Sequence, residues 1–328
     1  MKPSNFAAFA GNRNLVDQFV RCARSGRLPQ ALLFAGPEGV GKKTFGLLAA
    51  KYLNCLAPSE NDSCGHCIAC LKIEKGDYPE LRILEPEGSQ IKIDQIRELS
   101  SDIQYRPFEG QRKVYIIDPA EKMTEEASNA FLKTLEECPD HAVIVLITSQ
   151  PGSLLATIRS RCQLYRFAPT PADQIEPLLV SRGIGRAEAS TLARLSGGSI
   201  GRALERDWEQ IETARNDALL MLEAISRANN FYQVRALAGK MKTDEPMRQS
   251  LEQLLDSLLI LLRDLLMVKE GAADQAANRD ISGRLEKLAA AFSFDQISRL
   301  EAQIRNSLRE MQRNVNPQIL VEALYFER

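Results

Sequence analysis

The sequence predicts an α/β protein, with a doubly wound parallel sheet in its N-terminal half and helices alone thereafter. Three observations predict it. The short apolar run Ala31–Ala35 leads into a glycine loop, GPEGVGKKT, with a helical segment directly behind it. The run AVIVLIT at Ala142–Thr148 is continuously apolar, as a strand covered on both faces should be. Beyond Pro169 and Pro171 no convincing strand follows, and residues 247–267 are dense in leucine on several faces.

Taken in order, the first strand is Ala31–Ala35 and the helix after its loop is Lys42–Asn54. Leu81–Leu84 is a second strand. Residues 93–103 read as a helix with Asp94 near its start. Residues 114–117 form a third strand, which ends in Asp118. Residues 124–137 are helical, since Ala127, Ala130, Phe131, Leu132 and Leu135 include i, i+3 and i+4 spacings. The fourth strand is Ala142–Thr148 and the fifth is 164–167. Strands alternating with helices argue for the parallel sheet. Helices are then expected at 172–182, at Arg186–Leu195 and from 200 to about 224, with Gly197 and Gly198 breaking the second from the third. The leucine-rich helix at 247–267 (Leu254, Leu255, Leu258, Leu259, Leu261, Leu262, Leu265 and Leu266) would be buried nearly all round, in its own bundle or against other subunits. Residues 271–280 read as a loop. Helices at 294–312 and Pro317–Phe326 complete the chain, with Pro317 after Asn316 at a helix start. The helical part divides into a small domain at 169–207 and a third domain beyond it.

The composition narrows the function. The 328 residues allow two or three domains, and 44% hydrophobic content supports a sizeable core. The formal net charge of -1 removes the argument for autonomous nucleic-acid binding that a strongly basic chain would carry. No apolar run approaches the roughly 20 residues needed to span a membrane, and FAAFAG near the start is too short for a signal-peptide core. A cytoplasmic protein is therefore expected.

The glycine loop is a phosphate-binding loop with one wrong letter. The pattern requires G-x-x-x-x-G-K followed by Ser or Thr. Gly36, Gly41 and Lys42 are in register, with Gly39 between them, but the next residue is Lys43 and Thr44 arrives one place late. The glycines let backbone N–H groups turn toward phosphate oxygens, and Lys42 would reach the outer phosphates. The hydroxyl that normally holds Mg²⁺ is replaced by a cation with no oxygen to offer. Asp118, at the end of the third strand, is placed to hold Mg²⁺ in such folds. The position after it, where a water-polarising Glu would stand, is Pro119, and Glu121 lies two residues further on. ATP with Mg²⁺ is not expected at this chain's own site. Ser160-Arg161-Cys162 is a weak signal alone, because such an arginine can be a cap or a salt-bridge residue. At a subunit edge it can instead reach a neighbour's γ-phosphate.

Four of the seven cysteines, Cys55, Cys64, Cys67 and Cys70, are spaced C-x₈-C-x₂-C-x₂-C. In a reducing compartment such a cluster points to metal, and four thiolates can close a tetrahedron on a structural Zn²⁺. His66 lies between ligands and is not needed.

In this order the pieces resemble the delta-prime family of bacterial DNA polymerase III clamp-loader subunits, within the AAA+ clamp loaders. The resembling stretches are RLPQALLFAGPEGVGK, the cysteine module, KVYIID, NAFLKTLEECP and LLATIRSRC, and GGSIGRAL extends the match. The resemblance implies a P-loop AAA+ core at 1–168 with a zinc module inserted at 55–70, a helical lid at 169–207 and an all-α collar for oligomerisation at 208–328. It implies a non-hydrolysing stator in the polymerase holoenzyme, a chain that neither hydrolyses ATP nor polymerises DNA. Its partners would be the gamma/tau and delta subunits, the sliding clamp and, through the assembly, primer-template DNA. Arg161 matches the family's arginine finger. Thr148 matches a nucleotide-sensing position. Gly201 stands where active relatives carry a lid arginine, and Arg202 comes one later. Two rivals stand beside this reading. One is an active gamma-like ATPase, with Thr44 and Glu121 as substitutes; the other is a zinc-bearing scaffold with no part in ATP chemistry.

Overall fold

A computed structural model of the chain describes residues 3–205, 208–227, 231–240, 245–311 and 317–326. The chain forms two compact units, Met1–Ile175 with Gly198–Arg202, and Glu176–Gly197 with Ala203–Arg328. The residues of the expected lid, 169–207, are shared between the two, and its boundary at 206–207 lies outside the described residues.

The first unit runs α1 (Arg13–Arg24), β1 (Ala31–Ala35), α2 (Lys42–Asn54), α3 (Ile68–Lys75), β2 (Leu81–Leu84), α4 (Ile93–Asp102), β3 (Lys113–Ile117), α5 (Glu125–Glu136), β4 (Ala142–Thr148), α6 (Ala156–Arg161) and β5 (Gln163–Arg166). The five strands are parallel, in the order β2-β3-β4-β1-β5. Alternate residues of each central strand feed opposite layers. Leu32, Phe34, Val143, Val145 and Ile147 join the apolar cluster of α1 and α2. Ala31, Leu33, Ile144 and Leu146 join that of α4, α5 and α6. Burial on both faces explains why β1, β3 and β4 read as unbroken apolar runs. The expected doubly wound sheet is thus present, with strand ends shifted by a residue at β3 and β5.

Phe45, on the first turn and a half of α2, is fully buried. Its ring lies 5.2–5.7 Å from those of Phe6, Phe9, Phe19, Phe34 and Phe167. Four of these contacts are edge-on, the geometry that the ring quadrupole favours. The cluster ties α1, α2, β1 and the segment after β5 together.

Helix α7 (Ala172–Val180) begins in the first unit. Then come α8 (Arg186–Leu195), α9 (Ile200–Glu205), α10 (Trp208–Ser226), α11 (Phe231–Lys240), α12 (Glu245–Lys269), α13 (Ser282–Ala291), α14 (Phe294–Glu310) and α15 (Pro317–Phe326). The second unit packs around α12, whose Leu251, Leu254, Leu255, Leu258, Leu261, Leu262 and Leu265 are buried among α10, α11, α13, α14 and α15. Its leucines therefore fill this chain's own bundle, the first of the two alternatives. The helix expected from 200 to about 224 corresponds to α9 and α10, and residues 206–207 between them lie outside the described residues. The start at Pro317 holds, while Gln312 and Asn316 lie outside the described residues. Helices α1, α3, α11 and α13 were not expected. The cysteine spacing masks α3, and α1 starts from Asn12 at φ 48 with no side-chain cap.

Two measurements test this packing. Phe45→Ala should cost about 3–5 kcal/mol in denaturant unfolding, the usual loss for a buried aromatic. The second concerns Asp102, which accepts from Tyr115 Oη at 2.5 Å and pairs with Lys113 at 3.3 Å and Arg82 at 3.5 Å. Burial pushes its carboxyl up, but these partners outweigh it and hold it below the ordinary range. Its stabilisation is present above the unfolded value, roughly 4, and lost as pH falls through the lower folded one. Asp102→Asn should therefore destabilise at neutral pH, and the difference from wild type should shrink in acid.

Candidate functional site

Three neighbouring strands deliver their carboxyl ends to one edge of the sheet. The glycine loop follows β1, Asp118 follows β3, and Thr148 ends β4 between them. Gly36 donates its N–H to Thr148 O at 3.2 Å, which joins the loop to β4. This is where open α/β sheets place ligands. Gly39 and Gly41 have φ of 73° and 96°, a left-handed backbone that favours glycine.

The groups expected to meet a nucleotide are engaged with one another. Lys42 is 7% exposed and its Nζ donates to Gly36 O at 2.5 Å and Pro37 O at 2.6 Å. Burial lowers its pKa, against the pull of Asp118, Glu121 and Glu38. Lys43 is bonded to Glu85, just past β2, and stands 4.0 Å from Asp118 Oδ2. An ammonium group thus provides the countercharge that a divalent metal would supply at Asp118. Burial still pushes Asp118 up, with Lys43 and Lys42 opposing. Thr44 is half-buried on the first turn of α2. Glu121 Oε1 accepts from Ser149 N at 3.0 Å and Ser149 Oγ at 2.8 Å. Burial raises its pKa, but these bonds, with its own backbone N–H, bring it below the ordinary value. Oε1 is thus tied to the strand end, while Oε2, also buried, has no hydrogen-bond partner among the described residues. Thr148 is fully buried, and its Oγ1 accepts from Gln150 N at 3.0 Å.

Residues 199–202 close against the loop from within the same unit. Gly201 N donates to Gly39 O at 2.8 Å. A Cβ on Gly39 would stand 2.0 Å from Ser199 Oγ, and one on Gly201 would stand 3.1 Å from Gly39 Cα. The position where a lid arginine would stand therefore has little room for a side chain here. The donor set does not fit magnesium nucleotide: the hydroxyl is absent, the lysines are paired, and Gly201 is packed against Gly39.

Arg161 ends α6, away from this edge. Its Nη2 pairs with Glu136 of α5 at 2.5 Å and its Nη1 donates to Thr157 O at 3.1 Å, with the side chain 38% exposed. Burial pushes the neighbouring Cys162 thiol up to about 12, so it behaves as packing rather than as a nucleophile.

The four cysteines form a further cluster, with sulfurs all within 4.8 Å of one another. Cys64 N donates to Cys55 Sγ at 3.2 Å and Cys67 N to Cys64 Sγ at 3.3 Å. Burial raises Cys55 and Cys70. Burial acts upward on Cys67 too, but bonds from the Leu56 and Cys70 backbone and from the Cys70 and Cys64 thiols bring it to about 6. Four thiols so close cannot all ionise unless a cation joins them, and the group could hold a metal ion. His66 instead bonds Cys64 O at 2.8 Å.

The structure brings together Gly36, Gly39, Gly41, Lys42 and Asp118 at one edge and the four cysteines at another place, and sets Arg161 apart from both. Glu85, Glu136 and Ser199 escaped the sequence reading. They lie 42, 25 and 160 positions from Lys43, Arg161 and Gly39, and no local spacing marks them.

Comparison with known proteins decides the family. Residues 11–171 match the model of "DNA polymerase III, delta subunit" and residues 210–327 that of its C-terminal part. DNA polymerase III subunit delta' of Bacillus subtilis is 32% identical over 307 residues, covering 91% of this chain and 90% of that one. The chain belongs to the delta-prime family of DNA polymerase III subunits. The delta' subunit of Escherichia coli is 33% identical, covering 87% of this chain and 83% of its own. A solved gamma-subunit-related protein from Thermotoga maritima shares the fold, with TM-score 0.52, 20% identity and coverage of 95% and 99%. The shared fold agrees with the α/β core, followed by helices, that the sequence implied.

Proposed function

We propose that this chain is the non-hydrolysing stator of a DNA polymerase III clamp loader. It would hold gamma/tau and delta subunits in an assembly that opens the sliding clamp and places it on primed DNA. The observation that carries the reading is Lys43. Paired with Glu85 and Asp118, it puts a fixed positive charge where Mg²⁺ would be needed. Pro119 offers no carboxylate, Glu121 is bound to Ser149, and Gly201 replaces a lid arginine. Departures at the metal, water and lid positions agree. We read 1–168 as the core, 169–207 as the lid and 208–328 as the collar that joins neighbours.

In this reading Arg161 is the residue that acts, on a neighbour's ATP. Glu136 holds its guanidinium at the surface, and the pair would exchange for a γ-phosphate when the subunits meet. The cysteine cluster would hold a structural Zn²⁺. Thiolates around a tetrahedral zinc lie about 3.8 Å apart, given Zn–S bonds of about 2.3 Å, which the observed spacing accommodates. A closed set of four sulfurs leaves no position for substrate.

Arg161→Ala in the reconstituted loader should abolish the turnover contributed by the adjacent site, since arginine fingers are worth about 10³–10⁵ in rate. Lys42→Ala in this chain should leave DNA- and clamp-stimulated turnover unchanged. Loss of turnover with Lys42→Ala and not with Arg161→Ala would instead identify a gamma-like motor. Elemental analysis of the purified chain should find zinc, and Cys70→Ser should remove it and expose residues 55–75 to hydrogen exchange. A chain free of zinc with the same exchange protection would overturn the metal reading.

A further inference from the structure

Residues 4–7 belong to no helix or strand, yet they carry Phe6, which is 1% exposed. Its ring lies 5.2 Å from that of Phe45, 5.8 Å from Phe19 and 6.2 Å from Tyr52, so this segment is part of the apolar layer that holds α2. No sheet or helix satisfies its backbone. One side chain does so instead. Asp62 accepts the N–H of Phe6 at 2.9 Å through Oδ1 and that of Ala7 at 2.8 Å through Oδ2. Bonds to a carboxylate are charge-assisted and among the stronger ones in a protein.

Asp62 stands in the loop between the first two cysteines of the cluster, and little else positions that loop. Residues 56–61 are all exposed, and of 56–63 only Ser63 is buried. The loop's internal bonds make a local turn, with Ser59 N donating to Asp62 O at 2.8 Å and Asp62 N to Ser59 Oγ at 3.0 Å. Its outward attachments at Glu60 are weak. Tyr52 Oη donates to Glu60 O at 3.4 Å, and Arg24 meets Glu60 Oε1 at 3.4 Å with both side chains exposed. A polar loop with no apolar anchor keeps its shape through its ends. Those ends are Cys55 and Cys64, whose sulfurs are two of the four within 4.8 Å of one another. A cation joining them would close the loop and remove the entropy of an open one.

Helix α3 serves the same segment. It starts after Cys67 and contains Cys70, and its Glu74 pairs with Lys51 Nζ at 2.8 Å. The same ammonium group donates to Ser4 O at 3.2 Å. Lys51 is 3% exposed, so its charge needs these partners.

We propose that the cysteine module is a metal-dependent clasp for the N-terminal segment. The metal fixes the loop, Asp62 fixes the backbone of Phe6 and Ala7, and Phe6 completes the packing beside Phe45. The inference rests on the reading of the cluster as a zinc site. Phe45 keeps four other aromatic neighbours, so loss of the metal should free the segment without unfolding the sheet.

The test is amide hydrogen exchange of the full chain, with zinc content measured on the same samples. In the zinc-loaded chain the amides of Phe6 and Ala7 should be protected. Removing zinc with a chelator should speed their exchange about tenfold or more, the scale of losing a charge-assisted bond. Ile144 and Val145, buried in β4, should stay protected. Asp62→Ala should keep its zinc and speed the same two amides by a similar factor. Because coupling is reciprocal, Phe6→Leu, which removes no metal ligand, should weaken zinc affinity about fivefold or more in competition with a chromophoric chelator. A chain that holds no zinc overturns the zinc reading and this proposal together. A chain that holds zinc, but whose Phe6 and Ala7 amides stay protected once it is removed, overturns this proposal alone. Unchanged exchange in Asp62→Ala does the same. So does exchange that rises equally at Ile144 and Val145, since the metal would then stabilise the whole unit rather than the segment.

Discussion

The packing of Phe45 is the constraint on which the nucleotide-site edge depends. The residue sits three positions beyond Lys42, and its ring is held by rings from α1, β1, the N-terminal segment and the stretch after β5. Fixing Phe45 fixes the first turn of α2, and with it the direction in which the loop leaves β1. Gly41 belongs to the same arrangement, since a Cβ there would stand 3.1 Å from the Phe9 ring. The loop is thus shaped from its apolar underside, independently of any phosphate above it. A loop shaped in this way can lose its chemistry and keep its form.

That independence accounts for what happened to its polar groups. A phosphate loop without phosphate has inward-facing donors and a buried cation that need partners. Lys42 finds two carbonyls of its own loop, and Lys43 finds Glu85 and lies near Asp118. Gly39 O receives the N–H of Gly201. Each partner is supplied from within the unit, so the geometry is satisfied without ligand. In a hydrolytic site the same carboxylate would be left wanting a metal, and binding energy would come from meeting that need. Here Lys43 meets part of that need, although burial still pushes Asp118 up.

Much of this was legible in the sequence because it depends on local pattern. The continuous apolar runs of β1, β3 and β4 reflect burial on both faces, and Gly36, Gly41 and Lys42 reflect the backbone a phosphate loop requires. The cysteines show in their spacing because metal ligation demands short intervals. Partners joined only by the fold were not legible. Glu85 reaches Lys43 because β2 lies at the sheet edge beside β3, a matter of strand order that no window of residues contains. Helix α1 was hidden for another reason. Its N-cap position is Asn12 in a left-handed conformation with no capping bond, so the usual start signal is absent.

The buried polar residues show how one chain can fix segments that lie outside its sheet. Glu80 and Asn54 are spent on loop backbone at 108–112, whereas Glu121 is spent on Ser149 at the strand end. In each case a side chain satisfies main-chain donors that secondary structure leaves unpaired, and so fixes a segment outside the sheet. At Glu121 the bonds hold one carboxylate oxygen at the strand end and leave Oε2 without a partner among the described residues. At Glu80 and Asn54 similar bonds hold the backbone of a loop whose Phe108 ring stays in solvent. The strand end at Ser149 and the loop at 108–112 are thus fixed by the same device, a buried or half-buried polar side chain spent on main-chain donors.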